Sequence, residues 1–192
     1  KDGKIKNAGW SFPALNHANP ELREYLWKNM EWWVRDFDVD GFRCDVSDGI
    51  ELDFWETARQ RLEKLRPDVG MLAEGTRKAD QLKAFDLDYG WGFAWDNAAT
   101  VRKQWEKMRA ERPRGGARFI RFIDNHDIAN DSYDNRIEKR WGAARVEAAL
   151  VAIFTLDGVP FLYNGQEVAD TARHSIFGRM PIDWTNAKTV AG

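Results

Sequence analysis

The stretch Val39-Asp40-Gly41-Phe42-Arg43-Cys44-Asp45 decides the fold, because it is a short extended segment set between two helical ones. Ahead of it, Asn19-Pro20-Glu21 supplies an N-cap, a first-turn proline and an early acid, and Leu22, Leu26, Met30, Trp33 and Phe37 recur at helical spacing. Behind it, a second helical pattern starts near Asp53 and runs through Trp55, Ala58, Leu62 and Leu65 until Pro67 ends it. The alternation continues. Val69 to Ala73 and Phe85 to Tyr89 read as strands, residues from about Asp96 to Ala110 as a helix, and Pro113-Arg114-Gly115-Gly116 as a turn. Arg118 to Ile123 reads as a strand, Ile137 to Phe154 as one long helix, and Val159 to Tyr163 as a last strand. Five strands separated by helices predict an α/β fold of parallel β/α units joined by right-handed crossovers.

Composition narrows the function classes. The 192 residues are 43% hydrophobic and 31% charged, which suits a globular domain with a real core. With 29 basic residues against 31 acidic ones, mixed along the chain, there is no electrostatic footprint for nucleic acid or for an acidic membrane surface. No apolar run is long enough to span a bilayer, and no charged-then-apolar leader opens the sequence. Cys44 is the single cysteine, so neither an internal disulfide nor a cysteine-histidine zinc site is expected. Ten tryptophans are compatible with sugar binding, since indole stacks on the C–H faces of sugar rings, but core packing is the better account of any one of them.

Ionisable residues gather where the strands end: Arg43 and Asp45, then Glu74, then Asp124, His126 and Asp127. Parallel β/α folds place active sites on that edge, where loops from different strands converge. The bland alternative is that each acid caps the helix that follows. Two carboxyls flanking a glycosidic bond divide the work of hydrolysis: one stays ionised and attacks while the other donates and withdraws a proton. Arg43, two residues before Asp45 on one strand face, is placed to keep Asp45 ionised. Glu74 follows the apolar run Met71-Leu72-Ala73, surroundings that would favour its protonated form. Cys44 should point to the opposite face from its neighbours and act as a small buried hydrophobe.

At these residues the chain resembles the α-amylase family, glycoside hydrolase family 13. Asp40 to Asp45 resembles its nucleophile strand, Met71-Leu72-Ala73-Glu74-Gly75 its acid/base strand, and Phe122-Ile123-Asp124-Asn125-His126-Asp127 the segment with its third carboxylate. Gly158 to Glu167 resembles its eighth strand and the following loop. The resemblance implies Asp45 as nucleophile, Glu74 as general acid/base, Asp127 as the acid that steadies the distorted sugar, and Arg43 and His126 as substrate-site residues. It further implies a partial TIM-type (β/α)8 barrel over residues 1–192, covering roughly strands 4 to 8, and retaining cleavage of α-glucosidic bonds in starch-like glucans or maltooligosaccharides. Asn16 also fits the family, though helix entry explains it better, and Trp91, Trp95 and Tyr89 are candidates for a sugar platform or for the core.

The first three strands of the family barrel, with its first motif, have no counterpart here. No metal or cofactor is therefore expected, because a family calcium site would need residues outside the chain. An open barrel edge would call for covering by those residues or by self-association. Many starch-cleaving relatives carry Lys-His where this chain has Asp48-Gly49, which weakens the expectation of endo-acting α-amylase specificity. A transferring or isomerising member, a noncatalytic barrel relative, or a fragment that does not turn over are the alternatives. Nothing in the sequence fixes a cellular compartment.

Overall fold

The computed structural model describes residues 4–9, 12–75, 83–91, 102, 103, 106, 110, 117–129, 136–172 and 175–187. Two compact units divide the chain, residues 1–86 and 87–192. The helix expected from Asp96 to Ala110, the turn at Pro113 to Gly116, and Trp95 and His174 lie wholly or mostly outside the described residues.

In the first unit, α1 spans Pro20–Phe37, β1 Gly41–Cys44, α2 Leu52–Glu63 and β2 Gly70–Ala73. The Asn19 side chain accepts the Glu21 N–H at 2.9 Å to cap α1, and Asp38, in a left-handed conformation, ends it. The core face of α1 differs from the expected stripe. Leu26, Trp27, Met30 and Val34 meet the core, whereas Trp33 and Phe37 are exposed and cluster with Trp32, the ring centroids 4.7 to 5.2 Å apart. At 100° per residue, a stripe built on Leu26, Met30 and Val34 leaves positions 33 and 37 on its flank. Phe54, Trp55, Ala58 and Leu62 of α2 are buried, and Trp27 stacks on Phe54 at 5.4 Å. Arg61 ties the two helices together through Glu24 and Glu31.

β1 and β2 pair in parallel with Cys44 opposite Ala73, a register that makes Asp45 and Glu74 the next residues on adjacent strands. Asp86 anchors β2 from the side, its main-chain N–H donating to the Met71 carbonyl at 2.9 Å while its carboxylate accepts the Met71 N–H at 2.8 Å.

The second unit holds β3 (Leu87–Tyr89), β4 (Arg118–Arg121) and β5 (Val159–Pro160), with β4 pairing in parallel with both of its neighbours. The single helix expected from Ile137 to Phe154 is two: α3 (Ile137–Trp141) and α4 (Ala143–Thr155). Gly142 separates them at φ 78° and ψ 156°, a region open essentially to glycine alone, so the apolar periodicity carries on across a real break. Ile123, Ile137, Trp141, Val146, Ala149 and Ile153 form the core around these helices. All five expected strands come out shorter than the sequence suggests, and at β2, β3 and β4 the flanking apolar residues Val69, Phe85, Phe122 and Ile123 are buried outside the strands.

Candidate active site

Because Cys44 and Ala73 are in register, the chain leaves β1 and β2 side by side, and the ladder runs on past both strand ends. The Glu74 N–H donates to the Cys44 carbonyl at 3.0 Å and the Ser47 N–H to the Glu74 carbonyl at 3.1 Å. Side-chain alternation then turns Arg43 and Asp45 to one face and Cys44 to the other. Cys44 is buried, and burial pushes its thiol up to about 12, the behaviour of a small hydrophobe rather than a nucleophile.

Arg43 serves both carboxylates. Its Nη1 donates to Asp45 Oδ1 and its Nη2 lies 2.7 Å from Glu74 Oε1. The Asp45 side chain is 74% exposed, open to an incoming substrate, while that of Glu74 is 12% exposed. The surroundings of Glu74 are not the apolar ones that Met71-Leu72-Ala73 suggested. Its Oε2 accepts the Val46 N–H at 2.9 Å, so both carboxylate oxygens have polar partners. The alternation that sends Met71 and Ala73 into the core sends the Glu74 carboxylate away from them.

After Asp45 the chain turns sharply. Val46 adopts φ 42° and ψ 48°, and Ser47–Gly49 forms one 3-10 turn. Trp55 Nε1 donates to the Ser47 carbonyl at 3.0 Å. The turn sits close over Gly75, where a Cβ would stand 2.7 Å from Asp48 Oδ1 and 2.9 Å from Ser47 Oγ. Asp48 is half-buried against that glycine.

In the second unit, His126 and Asp127 stand on a turn after β4, His126 Nε2 lying 3.5 Å from Asp127 Oδ1. Asn125 builds that turn: its buried Oδ1 accepts the N–H groups of Asp127 at 3.0 Å and Ile128 at 2.9 Å. Behind it lies a buried polar cluster. Arg136, fully buried, is 3.8 Å from Asp124 and 3.4 Å from Glu138, donates through Nε to the Asp170 carbonyl at 3.1 Å, and lies over the Tyr163 ring. Burial pushes the Asp124 carboxyl up to about 7, with Arg136 pulling the other way. Sequence reasoning named Asp124 but missed Asn125, Arg136 and Asp170, whose partners lie up to 34 residues away. A lone arginine before an apolar helical pattern carries no signal of burial.

Asn16 is a helix-entry residue here, its side chain accepting the Ala18 N–H and its carbonyl the Asn19 N–H. Tyr89 is core, packed on Phe122, and Trp91 is partly exposed beside both rings. Among the described residues, no group of three or more histidine, cysteine or acidic side chains is placed to hold a metal ion, and no helix is long and apolar enough to cross a membrane.

Parallel β/α units ending in an Arg-Asp-Glu cluster form part of a TIM-type α/β barrel, the fold of the solved amylases that superpose on this chain, and over part of its length the chain is similar to the α-amylase family. The model for the α-amylase catalytic domain matches residues 6–89, which include Arg43, Asp45 and Glu74. A cyclomaltodextrinase from a Bacillus species is 27% identical over 190 residues, covering 92% of this chain and 33% of that protein. A solved maltogenic α-amylase from Thermotoga neapolitana superposes with a TM-score of 0.74 at 29% identity, covering 92% of this chain and 42% of the other. A cyclic α-maltosyl-(1→6)-maltose hydrolase from Arthrobacter globiformis, solved with maltose, superposes with a TM-score of 0.71 at 26% identity, covering 97% and 46%. The chain spans about a third of the length of the curated relatives it matches.

Proposed function

We propose that this chain carries the reacting carboxylates of a retaining glycosidase acting on α-glucosidic bonds, with short or cyclic maltooligosaccharides as substrates. Asp45 attacks the anomeric carbon and Glu74 protonates the departing oxygen. Water then displaces Asp45 from the glycosyl-enzyme as Glu74 takes its proton back. Asp127 and His126 bind the sugar hydroxyls whose contacts tighten as the ring flattens.

The observation that carries this reading is the single Arg43 guanidinium holding both Asp45 and Glu74. Retaining enzymes keep their two carboxyls about 5–5.5 Å apart, with no room for an intervening nucleophilic water, and one side chain reaching both favours that short spacing. The choice of substrate rests on the relatives named for cyclomaltodextrins and maltose release. The substitution of Asp48-Gly49 for Lys-His favours such small glucans over long starch chains. Incubating the chain with maltotriose and β-cyclodextrin and following the products by proton NMR tests it. The α-anomer should appear first and mutarotate later, whereas initial release of the β-anomer would overturn the assignment of Asp45.

A further inference from the structure

Arg43 divides its guanidinium between two carboxylates, so it alone does not fix where the Glu74 proton points. We propose that the main-chain N–H of Val46 is the dedicated positioning group for Glu74, an inference that rests on the acid/base role given to Glu74 above. Each Glu74 oxygen has a separate partner, Arg43 Nη2 at 2.7 Å from Oε1 and Val46 N at 2.9 Å from Oε2, and this pair sets the plane of the carboxyl. The contact depends on an unusual backbone. Val46 is β-branched, yet lies at φ 42° and ψ 48°, where such residues are outliers that persist only when their surroundings over-determine them.

The Val46 side chain does not supply that reason, being 61% exposed. The turn does. Left-handed geometry at Val46 aims two successive N–H groups at one residue, as anion-binding backbone concavities do: Val46 N–H at the Glu74 carboxylate and Ser47 N–H at the Glu74 carbonyl. Gly49 N–H donates to the Val46 carbonyl at 2.8 Å, Ser47 Oγ to the Glu74 carbonyl at 3.2 Å, and Trp55 clamps the Ser47 carbonyl from α2. The residue after the nucleophile thereby positions the acid/base residue of the neighbouring strand.

The full chain tests this in two ways. In Glu74→Ala the acceptor is removed, so the Val46 amide proton should move upfield while that of Ser47, bonded to the main chain, stays in place. An unmoved Val46 amide overturns the contact. Next, α-hydroxyisovaleric acid at position 46 replaces the N–H by an ester oxygen and keeps the side chain. Turnover of maltotriose should fall by at least about tenfold, out of the roughly 10²–10⁴ that acid/base catalysis contributes. For α-maltosyl fluoride, whose leaving group needs little protonation, kcat/KM should fall less than about threefold, because it reports formation of the glycosyl-enzyme alone and that step does not draw on Glu74 as an acid. Equal losses on both substrates would mean that the N–H only holds the fold, and would overturn the proposal. If the unmodified chain cleaves neither substrate although the amide responds, the glycosidase reading fails, and the catalytic meaning of the contact fails with it.

Discussion

Two strand-end clusters in this chain are made of the same residue types and do opposite things. After β1 and β2, Arg43 joins Asp45 and Glu74, with Asp45 open to solvent. After β4, Arg136 joins Asp124 and Glu138, and all three are buried. Burial decides the difference. A carboxylate in water keeps its charge at little cost and is free to react, whereas one taken into the interior must be paired or protonated. The first cluster is suited to chemistry, and the second secures the floor beneath the His126-Asp127 turn.

Asp45→Asn should separate the two most sharply, abolishing hydrolysis over several orders of magnitude while urea unfolding moves by less than about 0.5 kcal/mol, as at an exposed site. Loss of stability with activity kept would break the comparison. Removing the two arginines gives the mirror image. Arg136→Met should cost about 3–5 kcal/mol, because it strands a buried carboxylate, and Arg43→Met only about 1 kcal/mol, because Asp45 is screened by water and Glu74 keeps the Val46 N–H as a partner. The latter should nonetheless lose most turnover.

Acidity provides a third test. The Asp124 carboxyl is raised to about 7 in the fold, above its ordinary value near 4, so between those values the folded state holds a proton that the unfolded state releases. Stability should therefore fall as pH rises through that window, by at most about 1.4 kcal/mol per pH unit from this group, and level off above 7. Urea midpoints of the chain and of Asp124→Asn, compared from pH 5 to 8, should diverge with rising pH, the wild type losing ground. Parallel curves would mean that Asp124 stays ionised throughout. Gly142→Ala should cost about 1–3 kcal/mol by forcing a Cβ into a glycine-only conformation between α3 and α4. A stabilised variant would show that the two helices can fuse into one.

The first cluster was legible in the sequence and most of the second was not. Arg43 and Asp45 sit two apart, so strand alternation alone puts them on one face, and the aligned strand ends bring Glu74 beside them. The parallel β/α order was legible for the same reason, because apolar period and helix caps are local signals. Arg136 meets Asp170 across 34 residues of chain, and Val46 reaches Glu74 by its backbone, which leaves no trace in side-chain pattern. Gly142 stands inside a continuous apolar period and looked like an ordinary helix residue until its dihedrals showed the break.

The central claim is that Asp45 forms the covalent intermediate, and trapping tests it most directly. The chain is treated with 5-fluoro-α-D-glucosyl fluoride and digested, and the peptides are examined by mass spectrometry. A single fluoroglucosyl ester mapped to Asp45, absent from Asp45→Asn, is the predicted result. An ester on Glu74 or Asp127, or one that persists in Asp45→Asn, would contradict the account.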